Sequence, residues 1–197
     1  MVPTPVPTTV RYVSLSKPMG LVLEEVDESD PNSGVRIVQM SPDSEAVLQR
    51  LDVSLGDKLV SILEEDCSHW TFEDIMGTLA GIDDTDMPGG IRLGFSRPKN
   101  AVVVRFMETG LAVAAPPKTP LKPLGKLCGA TSIRYSCNVG DCALCEQELV
   151  VVGSDEPSRF ARMCVAKVPK PADDNEVHIL PITNERSVGL VVTSRTT

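Results

Sequence analysis

The chain has 197 residues, enough for one large domain or two of ordinary size, and its 42 % apolar content is that of a globular protein. No apolar run reaches the roughly 18 residues of a membrane span. Residues 1–9 (MVPTPVPTT) have neither the basic and apolar regions of a secretory signal nor the Arg/Ser-rich character of a transit peptide. The net charge of −8 is unevenly divided: residues 1–98 carry 7 Lys+Arg and 17 Asp+Glu, a net of −10, and residues 99–197 carry 12 and 10, a net of +2. That asymmetry points to two modules and away from nucleic acid as the main partner.

Residues 10–15 (VRYVSL) alternate as a strand should and end at Lys17-Pro18-Met19-Gly20. Residues 20–26 form a second strand, and 27–34, rich in Asp, Ser, Pro and Asn, a polar turn. Residues 35–40 (VRIVQM) are a third strand. Ser41 is expected to cap a short helix with Pro42 at its first position. Residues 56–63 (GDKLVSIL) read as turn and strand. Thr71 caps a helix running to about Ala80, with Phe72, Ile75, Met76 and Leu79 on one face, and Gly81 ends it. Residues 90–95 close the module.

This order resembles a PDZ domain across about residues 9–98. The pieces that carry the resemblance are Pro18-Met19-Gly20-Leu21, Ser41-Pro42-Asp43-Ser44-Glu45-Ala46, Leu55-Gly56-Asp57-Lys58-Leu59 and Thr71-Phe72-Glu73-Asp74. The resemblance implies a mostly-β, partly open barrel with two helices, acting as a protein-interaction domain over 1–98. Its groove would add a peptide strand beside Leu21-Val22-Leu23 and capture a terminal carboxylate at the Pro18-Met19-Gly20 loop. Phe72 would then select an apolar residue two before the peptide terminus, with Met76 one turn on. The alternative is that Phe72 and Met76 belong to the core of an amphipathic helix.

Arg97-Pro98-Lys99-Asn100 joins the halves with almost no linker, which restricts their relative orientations. Residues 101–106 are a strand and 110–114 its hairpin partner, followed by a Pro/Lys loop over 116–123 and a short helix over 124–130. After the cysteine loop come a strand at 148–153, one helical turn at 155–160, a strand at 163–168, and two tail strands at 176–180 and 188–192.

Six cysteines are too few for a disulfide scaffold, and Cys137, Cys142 and Cys145 cluster as metal ligands do in a reducing compartment. Cys137-Asn138-Val139-Gly140-Asp141-Cys142-Ala143-Leu144-Cys145 is C-x4-C-x2-C, the spacing of plant-type ferredoxins. Gly140 suits a loop that needs positive φ and close approach of backbone to a cluster. Ile133-Arg134-Tyr135-Ser136-Cys137 and Arg162-Met163-Cys164-Val165-Ala166 also resemble that family's flanks, so the resemblance covers about residues 100–170. It implies a β-grasp fold (α+β) over 99–197, with a C-terminal strand extension. A 2Fe–2S cluster would be held by Cys137, Cys142, Cys145 and Cys164.

Two features depart from that family. Only 18 residues separate Cys145 from Cys164, and Cys128 is an additional cysteine, either a buried small side chain or a replacement ligand. Four thiolates would also satisfy a structural zinc ion, although paired C-x2-C knuckles are the usual zinc pattern and one such pair exists here. A Rieske centre needs two histidines, and His69 and His178 lie far from the loop in sequence. Cys67 near Trp70 reads as structural. The acids at 24–30 read as a solvated hairpin, and Asp83-Asp84-Thr85-Asp86 lacks the Gly and distal Glu of a calcium loop. No Ser/His/Asp set, phosphate loop or dinucleotide fingerprint is present.

The expectation is therefore a non-catalytic electron carrier or cluster-bearing subunit, tethered to a protein complex by its PDZ-like half. The alternative is an assembly or scaffold factor whose cluster is structural or redox-sensing. By analogy with plant-type ferredoxins, the resemblance implies a chloroplast location, at the stromal face of a photosystem or other thylakoid complex. The short apolar runs give no reason to expect a transmembrane span.

Overall fold

The computed structural model describes residues 10–83, 87–155, 157–170 and 176–182. It is mostly β, with two sheets and three helices among the described residues. The chain divides into two units, Met1–Ala101 with Gly110–Ala114, and Val102–Thr109 with Ala115–Thr197. Residues 110–114 belong to the first unit, where the Leu55 N–H donates to Ala112 O at 2.9 Å and the Ala114 N–H to Leu55 O at 2.9 Å.

The first unit contains β1 (Val10–Leu15), β2 (Leu21–Glu25), β3 (Val35–Met40), α1 (Glu45–Leu48), β4 (Lys58–Ile62), β5 (Glu65–Asp66), α2 (Phe72–Gly81) and β6 (Ile91–Ser96). Its sheet runs β1-β6-β4-β3-β2, with β5 added to β4. Every pairing is antiparallel. The two-residue period shows in β6, where Ile91, Leu93 and Phe95 are buried and Arg92 is exposed. With Leu15, Ile37, Leu55, Leu59, Ile62 and Ile75 they make the core, each side chain contributing about 1.5–3 kcal/mol of burial. β2 is the last strand in the order, so one of its edges carries no strand among the described residues.

One expectation for this unit is corrected. Ser41 does not cap the short helix; Ser44 is its N-cap residue, without a side-chain cap bond. Residues 41–44 are used first in a turn, with the Ser41 N–H given to Gly20 O at 2.8 Å and the Ser44 N–H to Ser41 O at 3.0 Å. The apolar face of α2 is split: Ile75 and Leu79 are buried, whereas Met76 is 41 % exposed.

The remaining elements are β7 (Val102–Phe106), β8 (Ala112–Ala115, whose first three residues belong to the first unit), α3 (Leu121–Leu127), β9 (Glu146–Val151), β10 (Arg159–Arg162) and β11 (Val177–Leu180), which with that exception make up the second unit. The sheet order is β10-β9-β11-β7-β8, with β11 parallel to β7 and antiparallel to β9. Val104, Phe106, Leu121, Leu149, Met163, Val177 and Ile179 fill its core. The helix begins at Leu121, three residues ahead of the expected start, because Pro123 sits in the first turn, where a missing N–H is not needed. Residues 159 and 160 are strand, paired with Leu149 and Glu148, where a helical turn was expected. Residues 163–165 form a turn, where a strand was expected, with the Val165 and Ala166 N–H groups both given to Arg162 O. The expected strand at 188–192, residues 1–9 and 84–86 lie outside the described residues.

Candidate functional site

The cysteine loop lies between α3 and β9. Three of its residues are left-handed: Asn138 at φ 58°, Gly140 at φ 87° and Ala143 at φ 55°. Such alternation turns successive N–H groups to one side of the chain, as anion-binding nests do. Here they face sulfur: the Asp141 and Cys142 N–H groups donate to Cys137 Sγ at 3.3 and 3.4 Å. Hydrogen bonds from the Cys142 and Val139 N–H groups and the Cys142 thiol hold the Cys137 thiol down at about 6, well toward thiolate.

Cys145 and Cys164 are brought together by the β9–β10 hairpin. Glu146 pairs with Arg162 in the ladder, so the residues just beyond it meet: the Met163 N–H donates to Cys145 O at 3.1 Å and the Cys164 N–H to Cys145 Sγ at 3.4 Å. Burial and then the Cys145 thiol push Cys164 above its ordinary value. Tyr135 is pushed up to about 12 by burial and by the nearby Cys145 and Cys164. The Arg162 guanidinium donates to Gly140 O, tying the hairpin to the loop.

Hydrogen bonds thus link Cys142 to Cys137 and Cys164 to Cys145. Cys142 is exposed, Cys137 and Cys164 half-buried and Cys145 buried. Val139, Leu144 and Val165 are exposed. Among the described residues no group of three or more His, Cys, Asp or Glu is arranged to hold a metal ion. The donor chemistry, four soft thiols with main-chain N–H groups given to two of the sulfurs, is of the kind an iron–sulfur group takes. Cys128 stands apart, buried at the C-cap of α3, its thiol pushed up to about 12 by burial alone. Cys67 is likewise buried, at about 11.

The second site is a groove of about 520 Å³ between β2 and α2, and Pro18, Met19, Gly20, Leu21, Phe72 and Met76 all line it. Gly20 has φ 68°, and a Cβ there would lie 2.8 Å from the Ser44 Cβ, so this loop position requires glycine. Lys17 donates to Ile82 O at 2.6 Å, holding the loop against the end of α2. At the other end, Thr71 Oγ1 accepts the Asp74 N–H at 3.2 Å and sets where Phe72 points. The polar continuation of this groove past Phe72, lined by Glu24, Glu25, Glu28 and Glu73, is not legible in the sequence as a site. The acidic run at 24–28 was its only signal.

No protein-family model matches the chain, and no curated protein matches it. Its solved-structure neighbours are PDZ domains. The PDZ domain of choanoflagellate SHANK1, bound to a GIRK3 peptide, is 15 % identical over 47 % of this chain and 93 % of its own, at a TM-score of 0.35. The second PDZ domain of Dlg1 from the choanoflagellate Monosiga brevicollis matches in two crystal forms. One is 20 % identical over 46 % of this chain and 100 % of its own at a TM-score of 0.38. The other is 22 % identical over 44 % and 90 %, at 0.36. At these scores the function of the groove is read from its own geometry. Among the described residues no helix is long and apolar enough to cross a membrane.

Proposed function

We propose that the chain is a 2Fe–2S electron-transfer protein, or the cluster-bearing subunit of a larger complex, that docks to its partner through a PDZ-like first unit. The observation that carries the reading is the C-x4-C-x2-C loop itself, whose Asp141 and Cys142 N–H groups are given to Cys137 Sγ while the Cys164 N–H is given to Cys145 Sγ. When bound, a plant-type cluster supplies one-electron exchange, typically at about −400 mV. The chain's own part is to hold the four thiolates, offer the Asp141, Cys142 and Cys164 N–H groups to sulfur, and leave Cys142 exposed to solvent. The sheet order, with β11 parallel to β7 and α3 in the connection, supports a β-grasp fold for the second unit.

The PDZ-like reading of the first unit is supported by the open β2 edge facing α2 across an apolar groove that ends at the Gly20 loop. A guest strand would pair with β2 and present its terminal carboxylate to that loop. A chloroplast site at the stromal face of a thylakoid complex belongs to the same proposal and rests on the ferredoxin resemblance.

The test is anaerobic purification. The expected protein is brown, holds two irons and two sulfides per chain by the chemistry of the cluster, and gives a reversible rhombic S = ½ signal on reduction. Serine at Cys137, Cys142, Cys145 or Cys164 removes or cripples the centre, and serine at Cys67 or Cys128 does not. Stoichiometric zinc without sulfide refutes the proposal. A cluster that no physiological donor reduces favours a scaffold factor over a carrier.

A further inference from the structure

The groove does not stop at Phe72. Leu23 and Phe72 also line a second cavity of about 510 Å³, with Glu24, Glu25, Val26, Glu28, Arg36 and Glu73. The two cavities therefore follow one another along β2, apolar toward Gly20 and acidic toward Val26. Four acidic residues and a single Arg line the second cavity. Among the described residues no ion pair engages Glu24, Glu25, Glu28 or Glu73. Carboxylates left unpaired beside a free strand edge attract a cationic guest and repel an anionic one.

We propose that the groove takes the free C-terminus of a partner protein with apolar residues at its last and third-last positions and Lys or Arg at the fifth-last position and just upstream. This rests on the PDZ-like docking read above and names its ligand. The direction follows from the two ends. A carboxylate held at the Gly20 loop lies at the start of β2, so the guest strand runs antiparallel to β2 and its upstream residues move toward Glu25. Side chains alternate along a strand, so the last, third-last and fifth-last all face α2. At about 3.4 Å per residue, the third-last is level with Leu23 and Phe72. The fifth-last is level with Glu25, opposite Glu73. The apolar part sets affinity, and the acidic end sets which C-termini are admitted.

The experiment uses the full chain and fluorescence anisotropy with labelled peptides ending Lys-Arg-Lys-Gly-Val-Ala-Val, the same peptide with three Glu in place of the basic residues, and the basic peptide amidated at its C-terminus. At about 50 mM salt the basic free acid is expected to bind roughly five- to twentyfold tighter than the acidic one, and the ratio should shrink at about 0.5 M. Glu25→Lys with Glu73→Lys should invert the preference while leaving the circular dichroism of the protein unchanged. Equal affinity for basic and acidic peptides, or a preference unmoved by those substitutions, overturns the charge selection and leaves the docking groove standing. No binding by either free acid, or an amide that binds as tightly as the acid, overturns the groove reading itself and this inference with it.

Discussion

Removing one charge from the buried pair of the first unit gives the sharpest quantitative prediction. Asp57 is 1 % exposed and Arg97 is 7 % exposed at its side chain. Arg97 Nε donates to Asp57 Oδ1 at 2.9 Å and Nη2 to Oδ2 at 2.8 Å, a two-bond clasp, and the Ser54 N–H adds a bond to Oδ2 at 2.9 Å. Burial works against the Arg97 charge, and the Asp57 hydrogen bonds and charge outweigh it, holding the guanidinium above its ordinary value. Asp57→Asn leaves that cation buried, a change that costs about 3–5 kcal/mol when a partner is simply removed. Asp52 also accepts from Nη2 at 3.0 Å but is 64 % exposed, so it recovers at most about 1 kcal/mol. The expected loss is about 3 kcal/mol, or about 12–24 °C in Tm at about 4–8 °C per kcal/mol for a domain of this size. Trp70 is the one tryptophan of the chain and lies in the first unit, so its fluorescence during heating reports this unit alone. Arg97→Met combined with Asp57→Asn should be less damaging than the sum of the single changes by about 1–3 kcal/mol. A Tm drop under about 4 °C for Asp57→Asn, or additive singles, would refute the assignment of this pair as the brace of the unit.

Gly140→Ala forces an L residue to φ 87° and puts its Cβ 3.3 Å from Val165 Cγ2. It should therefore shorten the lifetime of the centre in air several-fold, read by loss of visible absorbance, with an intrinsic cost of about 1 kcal/mol. Glu108 accepts from the N–H and hydroxyl groups of Thr131 and Ser132 at the approach to the cysteine loop. Burial raises its titration but the Ser132 and Thr131 bonds prevail and depress it below the ordinary 4.5. Its contribution is thus complete above about pH 4.5 and is lost as pH falls through the lower folded value. Glu108→Gln should remove that acid dependence and lower the thermal midpoint of the second unit by a few degrees. Phe72→Asp places a charge in the apolar groove and should abolish binding of any apolar C-terminal peptide in titration calorimetry, while Tm stays within a few degrees because Phe72 is only half-buried.

Local chemistry was legible wherever it is set by neighbours in sequence. The alternation of residues 10–15, 35–40 and 91–95 identifies their strands, and Thr71 followed by Asp74 marks the start of α2, because period and caps are short-range properties. The C-x4-C-x2-C spacing locates the cysteine loop for the same reason. The start of α3 was missed because proline reads as a breaker unless it falls in a first turn, which only the completed helix reveals. Periodicity could not tell whether Phe72 and Met76 were core or groove, since both want an apolar side chain; the open edge of β2 decided it. The pairing of Cys145 with Cys164 spans 18 intervening residues and depends on the register of the β9–β10 hairpin. The acidic end of the groove joins Glu24, Glu25 and Glu28 to Glu73 from a separate helix. Both are products of chain reversal, where residues distant in sequence share one volume, and no local pattern encodes which of them will meet.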